Sequence, residues 1–147
     1  LAREGLAPPE VNQVELHPWL QQPALVEYCE QHHIALMGYR PTANGFRFGM
    51  TETGDVSAKL PVLERIAATN NKTVAQIAIR WSVQRGFITI PKTVRPERLA
   101  ENAAVLDWEL SESEMEALDE LDEVLHTSGA SQAEYVPWPE VAVGVPE

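Results

Sequence analysis

Three short apolar runs, separated by segments with helical spacing, leave this chain few ways to fold. Val11-Asn12-Gln13-Val14-Glu15-Leu16 half alternates, with Val11, Gln13 and Glu15 on one face and Asn12, Val14 and Leu16 on the other; Pro18 ends it. Ile34-Ala35-Leu36-Met37-Gly38-Tyr39 is almost continuously apolar, the pattern of a strand covered on both faces in a parallel sheet. Phe87-Ile88-Thr89-Ile90 is the third run, closed by Pro91. Between the first two, Pro23 suits a first helical turn, and Leu25, Tyr28, Cys29 and His32 follow at amphipathic spacing. Leu60, Leu63, Ile66 and Ala67 mark another helix. Thr73 caps the next, which carries Val74, Ile77, Ala78 and Trp81 and stops at Gly86. Pro96 opens a helix with Arg98, Glu101 and Asn102. Ser111-Glu112-Ser113-Glu114 is a capping box ahead of Met115, Leu118, Leu121 and Leu125. Strands alternating with helices predict parallel pairing through right-handed crossovers. Three strands are few for an independent α/β domain, because the sheet keeps open edges and one uncovered apolar face.

Composition narrows the function. Apolar residues are 44% of the 147, enough for one domain with a core and too many for disorder. No apolar run is long enough for a membrane-spanning helix. Eleven basic against 22 acidic residues give a net charge of -11, which argues against nucleic acid and anionic membrane surfaces as partners. A single cysteine, Cys29, excludes an internal disulfide framework and a multi-cysteine zinc site, and favours a reducing cytoplasm. His17, His32, His33 and His126 show no metal spacing. The first residue is Leu, and residues 1–9 lack the layout of a secretory signal, so the expectation is a processed chain or a piece of a longer one.

All 11 basic residues lie at or before Arg98, while residues 99–147 hold 13 of the 22 acids. Lys92, Arg95 and Arg98 therefore form a basic island in an acidic chain. Lys92 and Thr93 fall at the carboxyl end of the third strand, where parallel sheets place ligands. Arg98, Glu101 and Asn102 share one helix face. A cation and a hydroxyl at a strand end, followed by a helix start and an Arg, suit a phosphate, with Glu101 and Asn102 facing an amine or base edge. A salt-bridged Arg98–Glu101 face explains the same spacing equally well. Gln13 is an amide within an apolar strand, at central depth, either a polar layer residue or a donor to a ligand amide. Tyr39 ends the second strand before a long Gly- and Thr-rich loop, residues 40–58, and is placed either to pack or to stack on a flat ring. Glu15 reads as structural, in need of a partner if buried.

These residues also resemble a known family. Val11 through Pro18 resembles the sixth barrel strand of the aldo-keto reductases, and Gly38-Tyr39-Arg40-Pro41 the end of their seventh. Thr73 through Trp81 resembles the helix before the eighth strand. Ile90-Pro91-Lys92-Thr93 through Arg98 to Glu101-Asn102 resembles the C-terminal signature residue for residue. The likeness runs from about Pro8 to about Leu121. It implies the C-terminal part of a (β/α)8 TIM barrel: three parallel strands with flanking helices, a partial reductase domain over residues 1–147, and a tail or substrate loop over 126–147. It further implies an NADP(H)-dependent oxidoreductase reducing aldehydes and ketones by hydride transfer, in a soluble, monomeric parent with a small carbonyl substrate. Gln13 would bond the nicotinamide carboxamide and Tyr39 would stack on its ring. Lys92, Thr93 and Arg98 would hold the adenosine 2′-phosphate, with Glu101 and Asn102 at the adenine.

Two departures stand out. The family usually has Ser after the stacking Tyr, with Pro-Leu-Gly beyond, whereas this chain reads Arg40-Pro41-Thr42-Ala43-Asn44-Gly45; Arg40 offers a charge to the cofactor pyrophosphate in place of the hydroxyl. A whole barrel needs roughly 250 residues, and the family's catalytic Asp, Tyr, Lys and His belong to earlier strands. No catalytic residue and no metal ligand is expected here, and the fragment alone is expected to be inactive. Trp19, Phe46, Phe48, Tyr135 and Trp138 are candidates for the substrate rim. The alternatives are a non-catalytic NADP-binding regulatory module of the same fold, and a half-barrel that dimerises to bury its edges.

Overall fold

A computed structural model describes Gly5, residues 7–43, residues 59–123 and Thr127. Phe46, Phe48, Leu125, His126, Tyr135, Trp138 and most of the two segments expected as loop and tail lie outside the described residues. Three strands, β1 (Val11–Glu15), β2 (Ala35–Tyr39) and β3 (Ile88–Ile90), form a parallel sheet in the order β1-β2-β3. The described helices are α1 (Pro23–Gln31), α2 (Leu60–Asn70), α3 (Val74–Gln84), α4 (Pro96–Ala103) and α5 (Glu112–Asp119).

Local chemistry sets the helix ends. Thr73 and Ser111 each close a capping box, with Gln76 and Glu114 reaching back to the cap backbone. Gly86 follows α3 at φ +83, a left-handed position that glycine occupies without strain. Helix α5 ends at Asp119, earlier than the apolar spacing predicts, and Leu121 is buried beyond its end.

The register puts Gln13 beside Met37 and Glu15 beside Tyr39, with Met37 paired to Ile88 and Tyr39 to Ile90. Val11, Gln13, Met37, Tyr39, Ile88 and Ile90 therefore share one face. The other face, through Leu36 and Gly38, is buried, and Asn12 there reaches Cys29 Sγ of α1 at 3.9 Å. The expectation that β2 is covered on both faces is corrected: among the described residues only one face is covered. Val11, Ile88 and Ile90 stay 43%, 43% and 38% exposed, as three strands alone require. Gln13 is likewise exposed, not at central depth. On α1 only Cys29 of the apolar stripe is buried, while Tyr28 is exposed and stacks on His32 at 4.1 Å.

The main core lies among α2, α3 and α5, built from Leu63, Ile66, Ile77, Ala78, Trp81, Leu118 and Leu121. Trp19 joins it at 0% exposure, which corrects its assignment to a substrate rim. The backbone pairs His17 with Leu20 in a tight turn, and Gln21 Nε2 donates to the carbonyls of Leu118 and Asp119 at 3.0 and 2.9 Å, capping the end of α5. This seam presses Trp19 inward.

At Gly38 an added Cβ would lie 3.1 Å from Leu16 Cβ. Gly38→Ala is expected to destabilise the chain by ~1–3 kcal/mol through overpacking. Urea unfolding followed by circular dichroism checks this, and an unchanged midpoint would refute it.

Glu114 ties α5 to α2. Burial works to raise its carboxyl pKa, but hydrogen bonds from the Ser111 backbone, the Ser111 hydroxyl and Asn70 outweigh it and leave the group below its ordinary value. A lowered folded pKa means this stabilisation is complete above the unfolded-state value and is lost as pH falls through the folded one. Glu114→Gln should therefore cost more stability at pH 7 than at pH 3. An equal cost at both values, measured as urea midpoints, would rule out the linkage.

Candidate functional site

The carboxyl ends of all three strands lie at one edge of the sheet, because the strands are parallel. Gln13 and Tyr39 sit on the open face near that edge. Gln13 Nε2 donates to Met37 Sδ at 3.0 Å. A thioether is a weak acceptor, so the amide can exchange it for a better one. Tyr39 is half-buried at the last position of β2, next to Ile90 of β3.

Beyond Ile90 the chain runs through Lys92 and Thr93 into α4. Thr93 Oγ1 accepts from the Arg95 backbone N–H at 3.1 Å, which orders the turn and leaves the hydroxyl proton to donate elsewhere. Pro96 at the first helical position presets the backbone. Lys92 and Arg98 are exposed, and Glu101 and Asn102 half-buried. The two readings of this face now separate. Among the described residues no ion pair joins Arg98 to Glu101; Glu101 Oε1 instead accepts from Thr73 Oγ1 at 2.6 Å. Gln76 Nε2 donates to the carbonyls of Glu101 and Ala104 at 3.1 and 3.2 Å. Thr73 and Gln76 thus carry two duties, capping α3 and anchoring the end of α4. Their spacing signalled only the first.

A second cluster occupies the edge of β1 and β2. Glu15 is buried, and its Oε1 accepts from the Thr127 N–H at 2.9 Å and from the Thr127 hydroxyl. His17, fully buried, places Nε2 3.4 Å from the same oxygen. Arg40 Nη1 donates to the Thr127 carbonyl and lies 3.4 Å from its hydroxyl. Glu15 is therefore held both by His17, two residues on, and by Thr127, 112 residues away, and no local pattern announces the second.

Comparison with known proteins fits this arrangement. The Aldo/keto reductase family model matches residues 1–123. The chain belongs to the aldo/keto reductase family. It is 45% identical over 115 residues to a 9,11-endoperoxide prostaglandin H2 reductase of Trypanosoma cruzi, covering 78% of this chain and 38% of that protein. It is 38% identical over 122 residues to a glyoxal reductase of Bacillus subtilis, covering 83% and 41%. Among solved structures, a Gox0644 mutant in complex with NADPH superimposes with a TM-score of 0.69 at 38% identity, covering 82% of this chain and 41% of that one. An aldo-keto reductase from a deep-sea metagenome library matches with a TM-score of 0.69 at 34% identity, covering 82% and 42%. The chain thus spans about two fifths of the length of these reductases. Its three strands are part of an aldo/keto reductase TIM barrel, which explains a sheet with one face covered by helices and the other, the barrel interior, open.

Proposed function

We propose that this chain supplies the cofactor-holding portion of an NADPH-dependent reductase of aldehydes and ketones. The observation that carries the reading is the juxtaposition of the Gln13 amide and the Tyr39 ring on the open sheet face with the Lys92–Arg98 basic turn beyond the next strand end. The donor set fits the group. Gln13 can trade its thioether partner for the nicotinamide carboxamide, and the Tyr39 ring offers a flat apolar surface to the nicotinamide. Lys92, the Thr93 hydroxyl and Arg98 would hold the 2′-phosphate, while Glu101, braced by Thr73, and Asn102 would face the adenine. When bound, the nicotinamide supplies the hydride, and these residues orient it and fix its distance from the carbonyl. The acid that protonates the carbonyl oxygen belongs, in this family, to barrel strands that the resemblance does not place in this chain, so the reduction is assigned to a complete barrel. The NADPH complex of a relative 38% identical to this chain supports the choice of cofactor.

Titration of the chain with NADPH, followed by fluorescence and paired with size-exclusion chromatography, tests this. Micromolar binding by a compact species is expected. A compact species that binds neither NADPH nor NADH would overturn the reading.

A further inference from the structure

Arg40 stands where the family usually has Ser, and its guanidinium is engaged. The backbone at Arg40 is left-handed, at φ 53, and so is Ala43 at φ 45, with the Ala43 N–H donating to the Arg40 carbonyl at 2.8 Å. A non-glycine residue holds such a conformation only where its surroundings enforce it. The side chain of Arg40 reaches Thr127, whose carbonyl and hydroxyl both face Nη1. The Thr127 hydroxyl and N–H in turn reach the buried Glu15. One hydroxyl can do both jobs, since it donates one proton and accepts through its lone pairs. Thr127 thus bridges a carboxylate at the end of β1 and a guanidinium just past the end of β2. The two anchors bracket Tyr39, which is paired with Glu15 in register and precedes Arg40 in sequence.

We infer that Glu15, Thr127 and Arg40 form a clasp that fixes Tyr39 at the edge of the site, and that Arg40 is a positioning residue acting through Thr127, not a ligand of the cofactor phosphates. The clasp stands on its own geometry, while its bearing on the cofactor rests on the function proposed above. Among the described residues the Arg40 side chain meets the neutral oxygens of Thr127, whose N–H and hydroxyl are held by Glu15. Removing either end therefore releases the other.

The test uses the full chain with Arg40→Ser, Thr127→Val, both together, and Thr127→Ser as the conservative rescue. The first readout is hydrogen exchange at the Thr127 amide, which donates to Glu15. Protection is expected in the parent chain and about tenfold faster exchange in Arg40→Ser. Equal protection in the two would overturn the clasp. The second readout is NADPH affinity. Each single change is expected to weaken it about three- to tenfold, the pair no further than either alone, with Thr127→Ser close to the parent. Additive losses, or a shallower salt dependence in Arg40→Ser alone, would make Arg40 a direct phosphate ligand and overturn the positioning role. A parent chain that binds no NADPH would remove the cofactor reading and the positioning role with it, while the exchange result still decides the clasp.

Discussion

Replacing Arg98 by alanine is expected to weaken NADPH about 10- to 100-fold and to leave NADH within about twofold. The magnitude follows from a charge-assisted pairing of a guanidinium with a phosphate dianion, on the order of 1.5–3 kcal/mol, at 1.4 kcal/mol per factor of ten. The selectivity follows from chemistry: NADH has a hydroxyl where NADPH has the 2′-phosphate, so it has nothing to lose at this position. Because Arg98 is exposed, solvent and salt screen the interaction, and the loss should sit nearer the lower bound in high salt. Lys92→Ala should weaken NADPH less than Arg98→Ala, since an ammonium cannot make the paired contact of a planar guanidinium. Fluorescence titration of both cofactors at two ionic strengths measures this. Equal weakening of NADPH and NADH by Arg98→Ala would remove the phosphate from this helix face. The circular dichroism spectrum should not change, because α4 buries none of its residues and no described ion pair depends on Arg98.

Features of the fold that depend on neighbours in sequence were legible there. Thr73, Ser111 and Gly86 act within one turn of where they stand, and the alternation of Val11, Gln13 and Glu15 needs only the strand's own period. The misread features depend on partners far along the chain. Trp19, an aromatic in a loop, looked like a rim residue, but Gln21 stitches its turn to the carbonyl end of α5 and turns the indole into the core. Arg80, to which the sequence pattern assigns no role, lies outside the apolar stripe of α3 yet is buried, because Nη1 donates to the Val105 carbonyl at 2.9 Å and Nε to Gln84 at 3.0 Å. The apolar run at β2 pointed to cover on both faces, and only the helix face has it among the described residues. Of the candidate site, Gln13, Tyr39 and the Lys92–Asn102 segment were legible because strand period and helix spacing fix their relative places. The brace of Glu101 by Thr73 crosses 28 residues, and the bond of Glu15 to Thr127 crosses 112; neither leaves a local trace.

Trp81→Ala is expected to have the largest effect on stability and to lower cofactor binding only by unfolding the chain. Trp81 is fully buried at the centre of the α2, α3 and α5 core, with its ring edge-on to Phe87 at 6.1 Å. Its indole N–H donates to Asp119 Oδ1 at 2.8 Å, and Asp119 also pairs with Arg85. Removing the ring leaves a cavity costing about 3–5 kcal/mol, and the helix-end carboxylate loses one of its two donors among the described residues. Domains have roughly 5–15 kcal/mol in total, and a sheet with one open face belongs at the lower end of that range. A large unfolded fraction at 37 °C is therefore expected. Trp81→Phe keeps most of the packing and loses only the hydrogen bond, so it should cost about 1–2 kcal/mol. Urea unfolding followed by circular dichroism measures both, and a cost below about 1 kcal/mol for the alanine variant would contradict the core as described. The comparison with Arg98→Ala separates structure from binding. Trp81 lies on α3, which leads through Gly86 into β3 and on to Lys92, so its loss should weaken NADPH and NADH together, in proportion to the fraction unfolded, where Arg98→Ala weakens NADPH in a folded chain.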